Sequence, residues 1–186
     1  VSESTVNSNL DPSIIPSPQS SDSYDYYTGY INNIKNLDGV IATCTENEIM
    51  FSSGKVFYCD GNINKLNVTE LSGKVVVVEQ DISIQQNDNS SVTDVAIVAG
   101  GEINFNGNNT NALFRGLIWG AGSVNLSMSG VEFVGSVISN GSVVFNNVNS
   151  INADLSVWEL LSVYGYEFSM RQALEGLSEN IDFGDD

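Results

Sequence analysis

A repeat of about 20 residues, a period found in stacked repeat proteins, is the feature of this sequence that most restricts its fold. Apolar residues recur along the middle of the chain at nearly constant steps, and the recurring set is Ile63, Ile82, Ile103, Val124 and Val143. A second column lies six positions earlier and repeats at the same steps, with the members Phe57, Val76, Ile97, Ile118 and Val137. A period that is kept this regularly indicates that each repeat is one structural unit stacked on the next.

Each repeat combines an apolar run, a corner of small residues and an alternating segment, as in the stretch "VAIVAGGEINFN" at 95–106. Alternation directs one set of side chains inward and the other outward, and glycine tolerates the backbone conformations of sharp corners. A third short apolar segment, such as "ALF" at 112–114, closes the repeat. We therefore predict an all-β fold, a single-stranded parallel β-solenoid (β-helix) of about five coils with three short strands per coil.

A two-sheet sandwich is the competing prediction, because short strands separated by turns also suit that fold. A sandwich gives no reason for the same register to persist through five units, so the repeat favours the solenoid. The outward positions are rich in Asn and Ser, which predicts ladders of amide or hydroxyl groups between stacked coils.

Composition divides the chain into four segments. Residues 1–23 hold all three prolines among serines and asparagines, which predicts a linker or disordered arm. Residues 24–54 are expected to form an N-terminal cap, residues 55–154 the β-solenoid, and residues 155–186 a C-terminal helical cap with an acidic tail. Helical or irregular caps are thus expected at both ends of the column, because open strand edges invite edge-to-edge pairing.

Two helix starts are predicted in the C-terminal segment, because Ser156 with Glu159 and Ser169 with Gln172 have the spacing of a capping box. We expect the apolar residues of this segment to lie over the last coil; they are Trp158, Leu160, Leu161, Met170, Leu174 and Leu177.

Charge and residue types exclude several classes of function. Six Lys and Arg face 23 Asp and Glu, a net charge of −17, which disfavours general nucleic-acid binding because such binding depends on cationic side chains. The chain has no histidine, which excludes a Ser-His-Asp triad and histidine-ligated metals. We expect no enzyme activity, no cofactor and no structural metal.

Three carboxylates and one Arg-Trp pair are the candidate binding residues. Glu79 and Asp81, one coil from Glu102, could form a small acidic patch that binds a cation through oxygen ligands; the plainer alternative is a set of solvated surface charges. Arg115 and Trp119 lie close together on one repeat and suggest a binding surface. The alternative for Trp119 is an outward side chain packed beneath a terminal cap.

The two cysteines leave two alternatives open. Cys44 and Cys59 flank a short, largely apolar stretch, so they either form a disulfide that closes a short loop or remain two buried free thiols in a reducing compartment.

The run from "VVVVEQDISIQ" at 75–85 to "SINAD" at 150–154 resembles the solenoid heads of type IV pilus minor pilins and related pilus-assembly proteins, particularly those of Gram-positive, clostridium-like bacteria. It is also similar, in the style of its coils, to bactofilin-type cytoskeletal solenoids. The pilin resemblance implies an extracellular headpiece at the cell surface, in a pilus, with other pilin subunits as partners and host or surface ligands as further ones. It also implies membrane contact only through a hydrophobic helix ahead of residue 1.

Two other functions remain as alternatives. A bactofilin-like solenoid would polymerise end to end inside the cell. A carbohydrate-active β-helix enzyme would use two paired carboxylates, since glycoside cleavage requires only such a pair at the right separation.

Overall fold

The computed structural model describes residues 22–86 and 89–163. Its helices are α1 (Asp22–Ile34), α2 (Glu46–Phe51) and a 3₁₀ helix (Leu155–Leu161). Its strands are β1 (Ile41–Ala42), β2 (Val56–Cys59), β3 (Ile63–Asn67), β4 (Val75–Val78), β5 (Ile82–Gln86), β6 (Val92–Ala99), β7 (Ile103–Gly120), β8 (Val124–Ser139), β9 (Val143–Asn146) and β10 (Ser150–Ala153). The predicted linker falls almost entirely outside the described residues, as do the acidic tail and the second capping box.

The strands stack in parallel as the coils of a β-solenoid of about six turns, which confirms the predicted fold class. Face A contains β1, β2, β4 and the last parts of β6, β7 and β8. Face B contains β3, β5, the first parts of β7 and β8, and β9. Face C contains the start of β6, the middle parts of β7 and β8, and β10.

Both columns read from the repeat are confirmed by the strand register. Ile63 pairs with Ile82, and the pairing continues through Ile103 and Val124 to Val143. The earlier column pairs in the same way on face A, from Phe57 to Val137. The repeat thus specified which residues lie above one another.

The structure adds one level that the repeat did not predict. Ile41 pairs with Phe57, so the two residues of β1 form a sixth level on face A. The step from Ile41 to Phe57 is shorter than the steps between the other coils, and the level is only one strand long. It lacks the alternating segment of the other coils, so the period cannot reveal it.

The interior of the column is a continuous apolar core. A line of aromatic rings runs through it, with centroids 5.1 Å apart between Phe105 and Phe114 and 5.8 Å between Phe114 and Phe133; it continues to Phe145 at the exposed end, 6.3 Å from Phe133. Stacked or edge-to-face rings at such separations stabilise a core beyond the area that they bury.

The N-terminal end of this core is covered by α2. Ile49 of α2 is fully buried among the interior side chains. Lys74 Nζ donates hydrogen bonds to the carbonyl oxygens of Ile49 (2.9 Å) and Met50 (2.5 Å), which satisfies carbonyls at the end of a short helix. Burial lowers the pKa of Lys74. The charged amine thus fastens the helix over the end of the column.

The other two described helices lie along the side of the column, whereas the sequence predicts caps at its ends. Face A is apolar on its outer surface as well, and α1 and the 3₁₀ helix cover that surface. The sequence does indicate that face A is covered on both sides, because β4 has the sequence "VVVV" with no polar residue. All four of these residues are buried. A continuous apolar strand is typical of a sheet covered on both faces.

Candidate functional site

The disulfide joins the N-terminal cap to the solenoid. Cys44 and Cys59 are bonded, with their Cα atoms 4.8 Å apart, within the usual range for a disulfide. Cys44 lies between β1 and α2, and Cys59 is the buried last residue of β2. Of the two alternatives for the cysteines, the structure therefore has the bonded pair, and the bond secures the segment that leads into α2.

Removing this disulfide is expected to loosen the N-terminal cap. The variant C44S/C59A should lose about 3 kcal/mol of unfolding free energy, because a loop of 15 residues is no longer closed in the unfolded chain. Urea unfolding with and without reductant measures the effect. Reductant should lower the midpoint of the parent and leave the double variant unchanged; a parent indifferent to reductant would contradict the prediction.

Glu79 takes part in contacts across face A. Its carboxylate accepts a short hydrogen bond from the Tyr58 hydroxyl, and Lys35 Nζ of the segment after α1 lies 3.8 Å from Glu79 Oε1. Burial and the neighbouring carboxylate raise the pKa of Tyr58 well above its usual value. Glu79 thus helps to hold neighbouring levels and the side cover together.

Asp81 and Glu102 belong to a different arrangement, a polar column at the corner between faces A and B. Asp81 Oδ1 accepts a hydrogen bond from the backbone N of Glu102 at 2.7 Å, and the backbone N of Asp81 donates to Asn62 Oδ1 at 2.9 Å. Ser142 Oγ donates to Ser123 Oγ at 3.3 Å further along. The Asp81 carboxylate therefore joins two coils at the corner.

Arg115 is held by three neighbours on face C. Its guanidinium pairs with Asp94 in a short contact, and its Nε donates to Asp154 Oδ2 at 3.1 Å. A third nitrogen donates to Ser156 Oγ at 2.9 Å. Asp154 caps the 3₁₀ helix, its side chain accepting from the backbone N of Ser156 at 2.9 Å. Arg115 thus anchors the start of the C-terminal helix to the coils.

Trp119 lies beneath the side cover. It is only 3% exposed, and its ring centroid is 5.9 Å from Tyr27, 6.0 Å from Tyr30 and 6.1 Å from Trp158. Both flanking helices therefore meet on this one side chain. This burial agrees with the alternative in which Trp119 packs beneath a cap. The covering helices lie on the side of the column, however, and not at its end. A binding surface formed jointly by Arg115 and Trp119 would require an exposed ring, which this packing does not provide.

Acid should weaken the attachment of the 3₁₀ helix. Hydrogen bonds from the Ser156 side chain and backbone, with a further contribution from Arg115, lower the pKa of Asp154. A lowered pKa means that the carboxylate stabilises the fold above the ordinary carboxyl range, about pH 4, and that this stabilisation is lost as the pH falls through the folded-state pKa.

The change D154N is expected to remove this part of the pH dependence. Urea midpoints measured at neutral pH and near pH 3 should differ less for the variant than for the parent. S156A, which removes the principal donor, should fall between the two. Equal differences for D154N and the parent would count against the assignment.

The outer side of face B and the C-terminal end of the column are two of the surfaces of the described residues without a helix over them. The outer side of face B carries amide and hydroxyl groups, and Asn125 Nδ2 donates to Asn104 Oδ1 at 3.1 Å, which is one contact of the kind that the predicted ladder requires. At the C-terminal end of the column, three inward-facing apolar side chains of the last described coil are exposed, namely Val143, Phe145 and Ile151. The sequence predicts that the apolar residues of 155–186 lie over this end; residues 155–161 lie against face A instead, and residues 164–186 lie outside the described residues.

These features define a parallel β-solenoid protein with a disulfide-secured N-terminal end and one covered side. No protein-family model, curated protein or solved structure matches the chain. Within residues 22–86 and 89–163, no helix is long and apolar enough to cross a membrane. The same residues contain no cluster of three or more His, Cys, Asp or Glu that could hold a metal ion.

Proposed function

We propose that the protein is the solenoid headpiece of a type IV pilus minor pilin, which acts without catalysis at the cell surface in pilus assembly or adhesion. The observation that carries the proposal is the solenoid whose N-terminal end is closed by α2 and secured by the Cys44–Cys59 bond. Disulfides persist in oxidising environments such as the cell exterior. A column closed at one end also suits a displayed head better than a unit that must pair at both ends.

Face B is the surface through which this headpiece would contact pilin neighbours or surface ligands. Its outward side chains from β5 to β9 are almost all uncharged and polar, in a chain of net charge −17. The polar ones include Ser83, Gln85, Asn104, Asn106, Asn125, Ser127 and Asn146, and Val144 is an apolar exception. Amide and hydroxyl groups donate and accept hydrogen bonds at once, and stacked coils present them about 4.8 Å apart. The surface therefore suits partners rich in hydroxyl or amide groups.

Two observations test the proposal: the location of the protein in its own cell, and the coding sequence ahead of Val1. The full-length gene product, tagged at its C-terminus in its own cell, should appear in sheared pili, with Cys44 and Cys59 resistant to alkylation until reductant is added. The coding sequence ahead of Val1 should encode a cleavable leader and a hydrophobic helix. A protein found only inside the cell with alkylatable thiols would contradict the proposal.

A bactofilin-like polymer is the second candidate, and the exposed apolar end of the last coil is the observation that favours it. Such a protein would form filaments as its concentration increases. Sedimentation and electron microscopy of the purified chain distinguish the two, because the headpiece should remain a single species over the same range.

A further inference from the structure

A cleft of about 170 Å³ opens on face C, beside the corner at which the chain arrives from face B; we call it the face C cleft. Three successive coils line it: Asn111 and Leu113 belong to β7, Glu132 belongs to β8, and Asn149 and Ser150 come from the last described coil. Pockets for drug-sized ligands measure about 300 to 1,000 Å³. The face C cleft therefore suits a single small ring or one unit of a polymer.

The strand register carries a column of outward side chains through the cleft. Leu113 pairs with Glu132, and Glu132 pairs with Ser150, so the three residues follow one another at the strand spacing of about 4.8 Å. Glu132 is exposed, and Asn152 Nδ2 donates a hydrogen bond to its Oε1 at 3.0 Å. A carboxylate has about four acceptor positions, so this bond orients the Glu132 side chain without exhausting its capacity to accept.

A bulge in β7 adds an amide to the wall of the cleft. Asn108 pairs with Ser129 and Ala112 with Val131, so β7 has two more residues than β8 between these points of the register. Within the bulge, Asn111 has a φ of +143°, which is uncommon for a residue other than glycine. Bulges redirect side chains and are frequent beside functional sites, and a strained backbone gives a reason to look for a function there.

We propose that the face C cleft binds one uncharged sugar unit. Two carboxamides, one hydroxyl and one carboxylate line it, on Asn111, Asn149, Ser150 and Glu132. These groups together donate and accept hydrogen bonds, as the neighbouring hydroxyl groups of a sugar require. Leu113 supplies an apolar contact for the C–H groups of the ring. The net charge of −17 opposes the approach of an anionic ligand, which favours an uncharged one.

The lining favours binding over cleavage, and a sugar over a metal ion. Among the residues that line the cleft, Glu132 is the only acidic one, whereas glycoside cleavage generally uses a pair of carboxyl groups. A calcium ion takes about six to eight oxygen ligands, several of them carboxylates as a rule. The described residues contain no cluster of three or more His, Cys, Asp or Glu that could hold a metal ion. The proposed role is therefore recognition through hydrogen bonds.

Titration of the purified full chain with three methyl glycosides tests the proposal. The probes are those of glucose, galactose and N-acetylglucosamine, and ligand-observed NMR measures the binding. At least one should bind with a millimolar Kd, and E132A should weaken that binding about tenfold or more, because hydrogen bonds to a charged group are the stronger ones. E132Q, which retains an acceptor in the same place, should weaken it less. Because Glu132 is exposed, both variants should keep the urea midpoint of the parent.

N104A is the matched control, because Asn104 belongs to the amide groups on the outer side of face B. It should leave the binding of the glycoside unchanged. Binding that is lost in N104A and kept in E132A would overturn the proposal in favour of face B. Binding that disappears with EDTA would overturn it in favour of a cation site, and binding of none of the three probes would overturn it as well. The pilin proposal is tested separately, because these results do not depend on where the protein resides.

Discussion

Replacing Gly135 with alanine is expected to lower the free energy of unfolding by about 3 kcal/mol or more, through overpacking and backbone strain together. A Cβ at this position would lie 1.9 Å from the carbonyl oxygen of Gly116 in the neighbouring coil. The backbone φ of Gly135 is +152°, a conformation that residues with a Cβ rarely adopt. The coils would have to separate at this corner for the methyl group to fit.

Two control glycines separate the contributions. Gly73 has a φ of +75° with open space around its missing Cβ, so G73A should cost only the left-handed backbone penalty of about 1 kcal/mol. Gly61 has open space and no positive φ, so G61A should be close to neutral. Urea unfolding followed by circular dichroism should order the loss as Gly135, Gly73, Gly61. A G135A variant no less stable than G73A would contradict the prediction, because it would show that neighbouring coils can separate at this corner at little cost in free energy.

Replacing Trp119 with alanine is expected to cost about 3 to 5 kcal/mol, the usual range for removing a buried tryptophan. The ring joins α1 to the 3₁₀ helix across face A, through its contacts with Tyr27, Tyr30 and Trp158. Its loss should therefore loosen both helices at once. The urea midpoint measures the cost, and proteolysis within the two helices should become faster than proteolysis of the coils.

Phe51 supplies the matched control, because it is an aromatic residue that is 70% exposed. F51A should change the unfolding free energy by less than about 0.5 kcal/mol, as is usual at the surface. If W119A behaved like F51A, Trp119 would not hold the two helices in place.

The repeat predicted the solenoid because its information is local and is copied in every coil. Alternation assigns each side chain to the inside or the outside, and small residues mark the corners, so the register from Ile63 to Val143 could be read from the sequence. The cysteine spacing allowed the disulfide without selecting it. A disulfide requires Cys44 and Cys59 to lie side by side, and whether they do depends on the path of the chain between them.

The side cover could not be read in the same way, because its contacts join distant parts of the chain. Tyr27 Oη donates to the carbonyl oxygen of Val78, 51 residues away, and Tyr30 Oη donates to that of Leu161, 131 residues away. The Arg115 contacts with Asp94 and Asp154 likewise connect separate coils to the 3₁₀ helix. No periodic pattern contains these pairs, since each occurs once.

The sequence by itself therefore determined the repeating unit of this protein: which residues stack, which face inward and where the chain turns. Only the tertiary structure decided where the flanking segments lie and hence which surfaces of the described residues remain open, among them face B and the end of the last coil. The physical reason is that a coil is specified by its own alternation and by identical neighbours, whereas a helix packs wherever a complementary apolar surface exists. In this chain the outer side of face A supplies that surface.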